Sequence, residues 1–206
     1  MPRAGLTPLR VVQEAETLAD EVGLPALTLV ALAGRLGVRM PSLYKHIDGM
    51  DALQRDIAVR ARTELAGVLG RAAVGRAGTE ALRAMAAAYR AWALEHPGRY
   101  AATVPAPDPD DAENVQASNA IVGIALDVLA GFGLAGDDAI DATRALRAAL
   151  HGFVSLERAG GFGLPVDVNR SFDRLVSALA AAIATWSPAR PHPASAGPDE
   201  QIGSLP

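Results

Sequence analysis

The chain has 206 residues, enough for one large or two small domains with a substantial core. Half of the residues are hydrophobic, alanine and leucine dominate and aromatics are few, a composition that favours helices. There is no cysteine, which excludes disulfides, thiolate nucleophiles and cysteine metal sites, and a net charge of −4 counts against a nucleic-acid binder unless the charge is unevenly spread.

Residues 1–6 read as disordered, with Arg3 a solvated charge or a basic arm. Thr7 followed by Pro8 is a helix start, a cap and then a first-turn proline, and Val11, Ala15, Leu18 and Val22 repeat at helical spacing until Gly23-Leu24-Pro25 stops the helix. Thr28 caps a second helix with Leu32, Ala33 and Leu36 on one face, and Gly37 ends it in the left-handed conformation. Pro41 suits the first turn of a third helix, and Val38 and Leu43 close a small core against Leu32 and Leu36. The spacing predicts a helix-turn-helix, with Arg39, Met40, Ser42, Tyr44, Lys45 and His46 turned outward.

The run LxxxAGRLGVRMPSLYKHI, with its spacing A-x-x-x-G-V-x-x-x-x-L-Y-x-H, resembles the DNA-binding segment of the TetR family of bacterial one-component repressors. Two positions depart from the pattern. Met50 stands where the family commonly has a phosphate-binding Lys, and Val30 where its archetype has a base-reading Arg. The resemblance implies that Thr28, Arg39, Met40, Pro41, Ser42, Tyr44, Lys45 and His46 form the DNA-contacting set. Tyr44, Lys45 and His46 are suited to phosphates, Arg39 to a bidentate bond with guanine and Met40 to a thymine methyl.

Asp48 or Gly49 can cap a fourth helix with the stripe Leu53, Ile57, Ala61, Leu65 and Val68, its other face carrying Arg55, Arg60, Arg62 and Arg71 as solvated charges. A break at AAVGRAG precedes a fifth helix, for which Thr79 is placed as a cap. Pro97 ends that helix and a short one follows through Arg99 and Tyr100. The acidic loop PAPDPDDAE then leads into a helix from Asn114 to Phe132, apolar nearly all round in its second half and so expected to sit centrally. Asp108, Asp110, Asp111 and Glu113 lack the spacing of a calcium loop and suit the positive end of that helix better than a metal. Two one-sided helices follow, at about 137–159 and from Asp167 or Asn169 to Trp186, before a proline-rich tail that reads as disordered. The phrase HGFVSLERAGGFGLP resembles a carboxy-terminal domain type of TetR-like regulators marked by a Trp-His-Gly motif, with Leu150 in place of the Trp.

Residues 1–76 hold ten Lys/Arg against eight Asp/Glu, leaving −6 for residues 77–206, an asymmetry in the direction that DNA binding requires. No charge-free apolar run reaches the roughly 18 residues of a spanning helix. The amino terminus lacks the apolar stretch of a signal peptide, so a cytoplasmic location is expected. The four histidines are scattered and no H-x-x-x-H pair, phosphate loop or G-x-S-x-G elbow occurs, which leaves no catalytic set and no metal or cofactor site. His151 is a core or interface histidine within reach of Asp141 or Glu157.

The expectation is an all-α protein of about nine helices, with a DNA-binding head at 1–49, a regulatory and dimer-forming body at 50–186 and a disordered tail at 187–206. Its partners would be a palindromic double-stranded operator, a second copy of the chain and a small, largely apolar effector, with no membrane. Met85, Tyr89, Trp92, Tyr100, Asn119 and Phe132 are expected to hold the effector, because Tyr89 and Trp92 share a helix side and Asn119 offers one polar group. The one-sided stripes Leu146, Leu150, Phe153, Phe172, Leu175, Val176, Leu179 and Ile183 are expected to form a four-helix dimer interface. The alternatives are a helix-turn-helix used for protein contacts and, further off, an all-helical enzyme.

Overall fold

The computed structural model describes residues 5–186, among which there are nine α-helices and no strand. The expectations for Arg3 and for the tail from residue 187, including His192, lie outside these residues. Helix α1 (Pro8–Val22) is capped by Thr7, whose Oγ1 accepts from Arg10 N at 3.2 Å. Leu6 joins the packed head and is not part of a free arm. A single 3-10 turn leads to α2 (Leu29–Leu36), where Thr28 Oγ1 accepts from Ala31 N at 3.2 Å. Gly37 takes φ 67°, and Val38 N–H reaches back to Ala33 O at 3.0 Å, which closes the turn before α3 (Met40–Leu43).

Helix α4 (Met50–Ala73) is the longest and belongs to both halves of the molecule. Its Leu53, Ile57 and Ala58 complete the head core with Val11, Leu18, Leu32 and Leu43, while Ala61, Leu65 and Leu69 belong to the body core. Helices α5 (Gly78–Glu95), α6 (Pro97–Thr103), α7 (Ala112–Ala130), α8 (Gly136–Arg158) and α9 (Val168–Ala184) build that body. Thr79 does not cap α5. The helix starts at Gly78, which lies against Gly131, where an added Cβ would come within 2.9 Å of the Gly78 nitrogen. Helix α4 runs on through Gly70 to Ala73, so the break that precedes α5 is shorter than AAVGRAG.

Head and body are tied at α6. Asp20 on α1 accepts from Gly98 N at 2.9 Å, Arg99 N at 2.8 Å and Arg99 Nε at 2.7 Å. The carboxylate thus satisfies two of the free amides at the start of α6 and pairs with its cation. Arg99 Nη1 also donates to Glu64 on α4 at 2.7 Å.

Of the four arginines of α4 expected to be solvated, Arg71 is exposed, but Arg55, Arg60 and Arg62 are engaged by the protein. Arg55 makes a two-pronged contact with Asp111, both bonds 2.7 Å, and reaches Glu113 at 2.7 Å, so a protein cation occupies the acidic cluster. Arg60 pairs with Glu16, which is 6% exposed, and Arg62 is itself 2% exposed. Helix α7 packs along α4 but is not surrounded: Val122 is 39% exposed, and Ile121, Ile124 and Leu126 are half-buried.

Candidate DNA interface and effector cavity

The turn after α2 presents Arg39 as the residue that opens α3, with extended backbone (φ −85°, ψ 152°). Helix α3 is one turn long. Tyr44, Lys45 and His46 therefore follow the helix, Tyr44 N–H still bonding Met40 O at 3.1 Å. Leu43 and Ile47 are buried in the head core and hold this segment to the surface from beneath. Arg39, Pro41, Tyr44 and Lys45 are exposed, Tyr44 by 54%, while Ser42 and His46 are half-buried. Met40 and Met50 pack against the head core, which leaves Met40 less of its side chain for a base than the sequence suggested. Thr28 is engaged as the α2 cap, and Val30 beside it is 73% exposed. By contrast Arg35, also on α2, is bound by Glu14 and Glu21 of α1 and is not available to a nucleic acid. Neither Arg39 nor Lys45 has an ion-pair partner among the described residues, so this surface offers cations that the protein does not neutralise itself.

In the body, α4, α5, α7 and α8 and the segment 103–107 surround a cavity of about 190 Å³. Leu65, Leu69, Met85, Ile121 and Leu146 supply apolar walls, and Ser118, Thr143, Tyr89, His151, Arg62 and Arg147 bring polar atoms. Of the residues expected to hold an effector, Met85 and Tyr89 line the cavity. Tyr100 stands directly behind it: its hydroxyl lies 2.7 Å from Tyr89 Oη and 2.5 Å from His151 Nδ1. Burial raises the pKa of both tyrosines, so each keeps its proton at neutral pH. His151 thus meets Tyr100 and, at 3.5 Å, Ser155, and not Asp141 or Glu157.

Trp92, Asn119 and Phe132 do not line the cavity. Trp92 is 4% exposed and turns the other way, with Nε1 donating to Glu64 at 3.2 Å and its ring against His96. Asn119 faces solvent on the outer side of α7, where Ser118 takes the inward position, and Phe132 packs on the body core beyond the end of that helix.

The stripe assigned to a dimer interface is largely consumed within the chain. Leu146, Leu150, Phe172, Val176 and Ile183 are all 4% exposed or less, and Phe153 and Leu179 pack against the same core. Arg90 of α5 accounts for the two phenylalanines: its guanidinium lies 4.9 Å from the Phe172 ring centre and 5.7 Å from that of Phe153, held by Glu157 at 2.7 and 2.5 Å. Leu175 remains half-buried. What α8 and α9 leave uncovered is a different face, with Leu156 53% and Trp186 37% exposed and Ala145, Ala178, Ala181 and Ala182 also open.

A compact helix-turn-helix head with uncompensated cations, joined through a shared helix to a body that encloses a cavity, has the build of a helix-turn-helix transcriptional regulator. Residues 82–179 match the family model for the tetracyclin repressor-like C-terminal domain. The chain is 38% identical over 172 residues to the uncharacterized HTH-type transcriptional regulator Rv0681 of Mycobacterium tuberculosis, which covers 83% of this chain and 78% of that one. It is 37% identical over 171 residues to the uncharacterized HTH-type transcriptional regulator YobS of Bacillus subtilis, covering 82% and 88%. Among solved structures, SCO4313, described as a regulatory protein, matches with a TM-score of 0.67 and 28% identity over 84% of this chain and 94% of its own. A TetR variant from Acinetobacter baumannii AYE, solved in complex with minocycline, shares the fold with a TM-score of 0.65 at 24% identity, over 86% and 96%. The chain belongs to the TetR family of transcriptional regulators. It is accordingly a DNA-binding regulator and not an enzyme.

Proposed function

We propose that the protein is a homodimeric repressor that occupies a palindromic operator in the cytoplasm and leaves it when a small, mostly apolar effector enters the body cavity. The observation that carries this reading is the continuity of the cavity wall with the head. Thr103, the last residue of α6, and residues 104–107 that follow it line the cavity, and α6 is seated on α1 by Asp20. An occupant that shifts this wall acts on the head through a stiff seven-residue helix. A tenfold loss of operator affinity needs about 1.4 kcal/mol of preference by the effector for the DNA-incompetent state.

The proposed DNA contacts are Arg39 for a base edge and Tyr44, Lys45 and His46 for phosphates, with Met40, Pro41, Ser42 and Thr28 fixing the approach. For the dimer we propose the exposed face of α8 and α9, where Leu156, Ala182 and Trp186 remain open to a second copy. Small residues on this face allow two helix pairs to approach closely. We also place the chain with the Trp-His-Gly type of carboxy-terminal domain, Leu150 taking the Trp position; supporting this, Leu150 and His151 stand together in the cavity wall.

Fluorescence anisotropy with DNA from upstream of the chain's own coding region tests the reading. Salt-sensitive, sequence-selective binding by a dimer is expected. Absence of any such binding, together with recovery of a protein partner through the helix-turn-helix, would favour the protein-contact alternative instead.

A further inference from the structure

Arg62 and Arg147 reach the same short piece of chain from two different helices. Arg62, on α4, donates to Asn114 Oδ1 and, at 2.6 Å, to the carbonyl of Pro105. Arg147, on α8, donates to the adjacent carbonyl of Val104 at 2.8 Å. Both side chains line the cavity. Among the described residues neither guanidinium touches a carboxylate. Asp111 is near enough to favour the Arg62 charge, but Arg55 already holds both of its oxygens.

This is a costly arrangement for an empty cavity. A buried cation loses its hydration, and peptide and amide oxygens solvate it without cancelling its charge. Desolvation, and then the proximity of Arg147, pull the Arg62 pKa below the ordinary arginine value, yet a guanidinium does not give up its proton near neutral pH. Buried Arg62 and the exposed Arg147 therefore stand at one cavity, the first inside and the second at its rim, and the remaining walls are mostly aliphatic. Each keeps N–H groups that its present partners do not use, since a guanidinium carries five donors.

We propose that the effector is a carboxylic acid whose anionic group seats between Arg62 and Arg147, with an apolar body against Leu65, Leu69, Met85 and Ile121. The planar fork of a guanidinium matches a carboxylate with two parallel bonds. The volume fits the rest: a dry cavity of roughly 150 Å³ holds a benzene ring, so about 190 Å³ takes an aryl or short alkyl group with a carboxylate attached. A carboxylate drawing the guanidiniums toward itself competes with the carbonyls of Val104 and Pro105, in the segment that continues from α6. This inference rests on the cavity being the effector site, as proposed above.

The test is calorimetric titration of the full chain with phenylacetate, 3-phenylpropanoate and 4-phenylbutanoate, each beside its neutral amide of the same shape. At least one acid is expected to bind ten times more tightly than its amide. That preference should fall to within about twofold in Arg147→Gln and in Arg62→Met, each checked for native helicity by circular dichroism. Equal binding of acid and amide overturns the carboxylate assignment and leaves the cavity as an effector site. Binding of no acid in the series overturns it as well. If an acid binds but Ala125→Trp, which fills the cavity, leaves its affinity unchanged, the cavity reading itself fails and the acid is pairing with surface arginines.

Discussion

Gly98 of α6 lies so close to Ala19 of α1 that a Cβ added to it would come within 2.1 Å of the Ala19 carbonyl carbon and oxygen. Real Cβ atoms do not approach backbone that closely, so any side chain here must push the two helices apart. Gly98→Ala is expected to destabilise the fold by about 1–3 kcal/mol, the usual range for overpacking, and to weaken operator binding by re-angling the head. Urea unfolding and DNA anisotropy on the same variant check both effects. Wild-type stability would mean that α1 and α6 part freely, and the proposed route from cavity to head would lose its stiff link.

Arg39 and Lys45 should fail in different ways. Lys45→Ala is expected to weaken binding to all DNA sequences alike and to lower the slope of log affinity against log salt by about one unit. Arg39→Ala should relax discrimination at one base pair, at a cost of about 1–3 kcal/mol. Affinities for operator and scrambled DNA across a salt series distinguish the two, and unchanged curves for both variants would remove this surface from the DNA interface.

The dimer is best probed on residues that the chain does not bury for itself. Ile183 is 2% exposed, so a charge there would unfold the protein and report nothing about association. Leu156→Glu with Ala182→Glu alters exposed positions only and is expected to give a folded monomer in sedimentation velocity. A folded, intact dimer would move the interface to another face.

Acid should loosen the join between α4 and α7 in a defined window. The two bonds from Arg55, helped by the Asn114 backbone N–H, hold the Asp111 carboxyl at a pKa of about 2 against an ordinary 3.8. The unfolded chain takes up this proton at higher pH than the folded chain, so stability rises with pH across the interval. The contribution is complete above 3.8 and is lost as the pH falls towards 2. Stability measured against pH should therefore show a gap between wild type and Arg55→Met near neutrality that narrows as the pH drops through that interval. A constant gap would place the effect of Arg55 in packing and not in the ion pair.

What the sequence reveals here follows the range over which each signal acts. Thr7, Thr28 and Gly37 were legible because a cap or a left-handed turn is decided by chemistry within four residues. Thr79 misled for the complementary reason: the start of α5 is fixed by Gly78 meeting Gly131, some fifty positions along the chain, and no local pattern carries that. Trp92 and Asn119 show the same limit at the cavity. Helical spacing tells which residues share a side, but the direction in which that side points is set by Glu64 and His96 for Trp92 and by the seating of α7 on α4 for Asn119. An apolar stripe such as Phe172, Val176 and Ile183 says only that a face is buried. Whether its cover is Arg90 and α5 or a second chain is a tertiary matter. Arg62 was hidden for a related reason, since a cation on the polar side of an amphipathic helix normally belongs to solvent.

The sharing of α4 between two cores bears on how this molecule can be cut and recombined. A fragment ending at Gly49 would forfeit Leu53, Ile57 and Ala58, which fill the floor of the head, and would expose Leu32 and Leu43 in exchange. A regulator assembled by grafting this head onto a foreign sensor must therefore carry at least two turns of α4 with it, joined between Ala58 and Ala61 where the packing passes from one cluster to the other. It must also provide, on its own sixth helix, a residue without a side chain to lie against Ala19. Heads and sensors of this build are interchangeable parts only if that seam is exchanged with them.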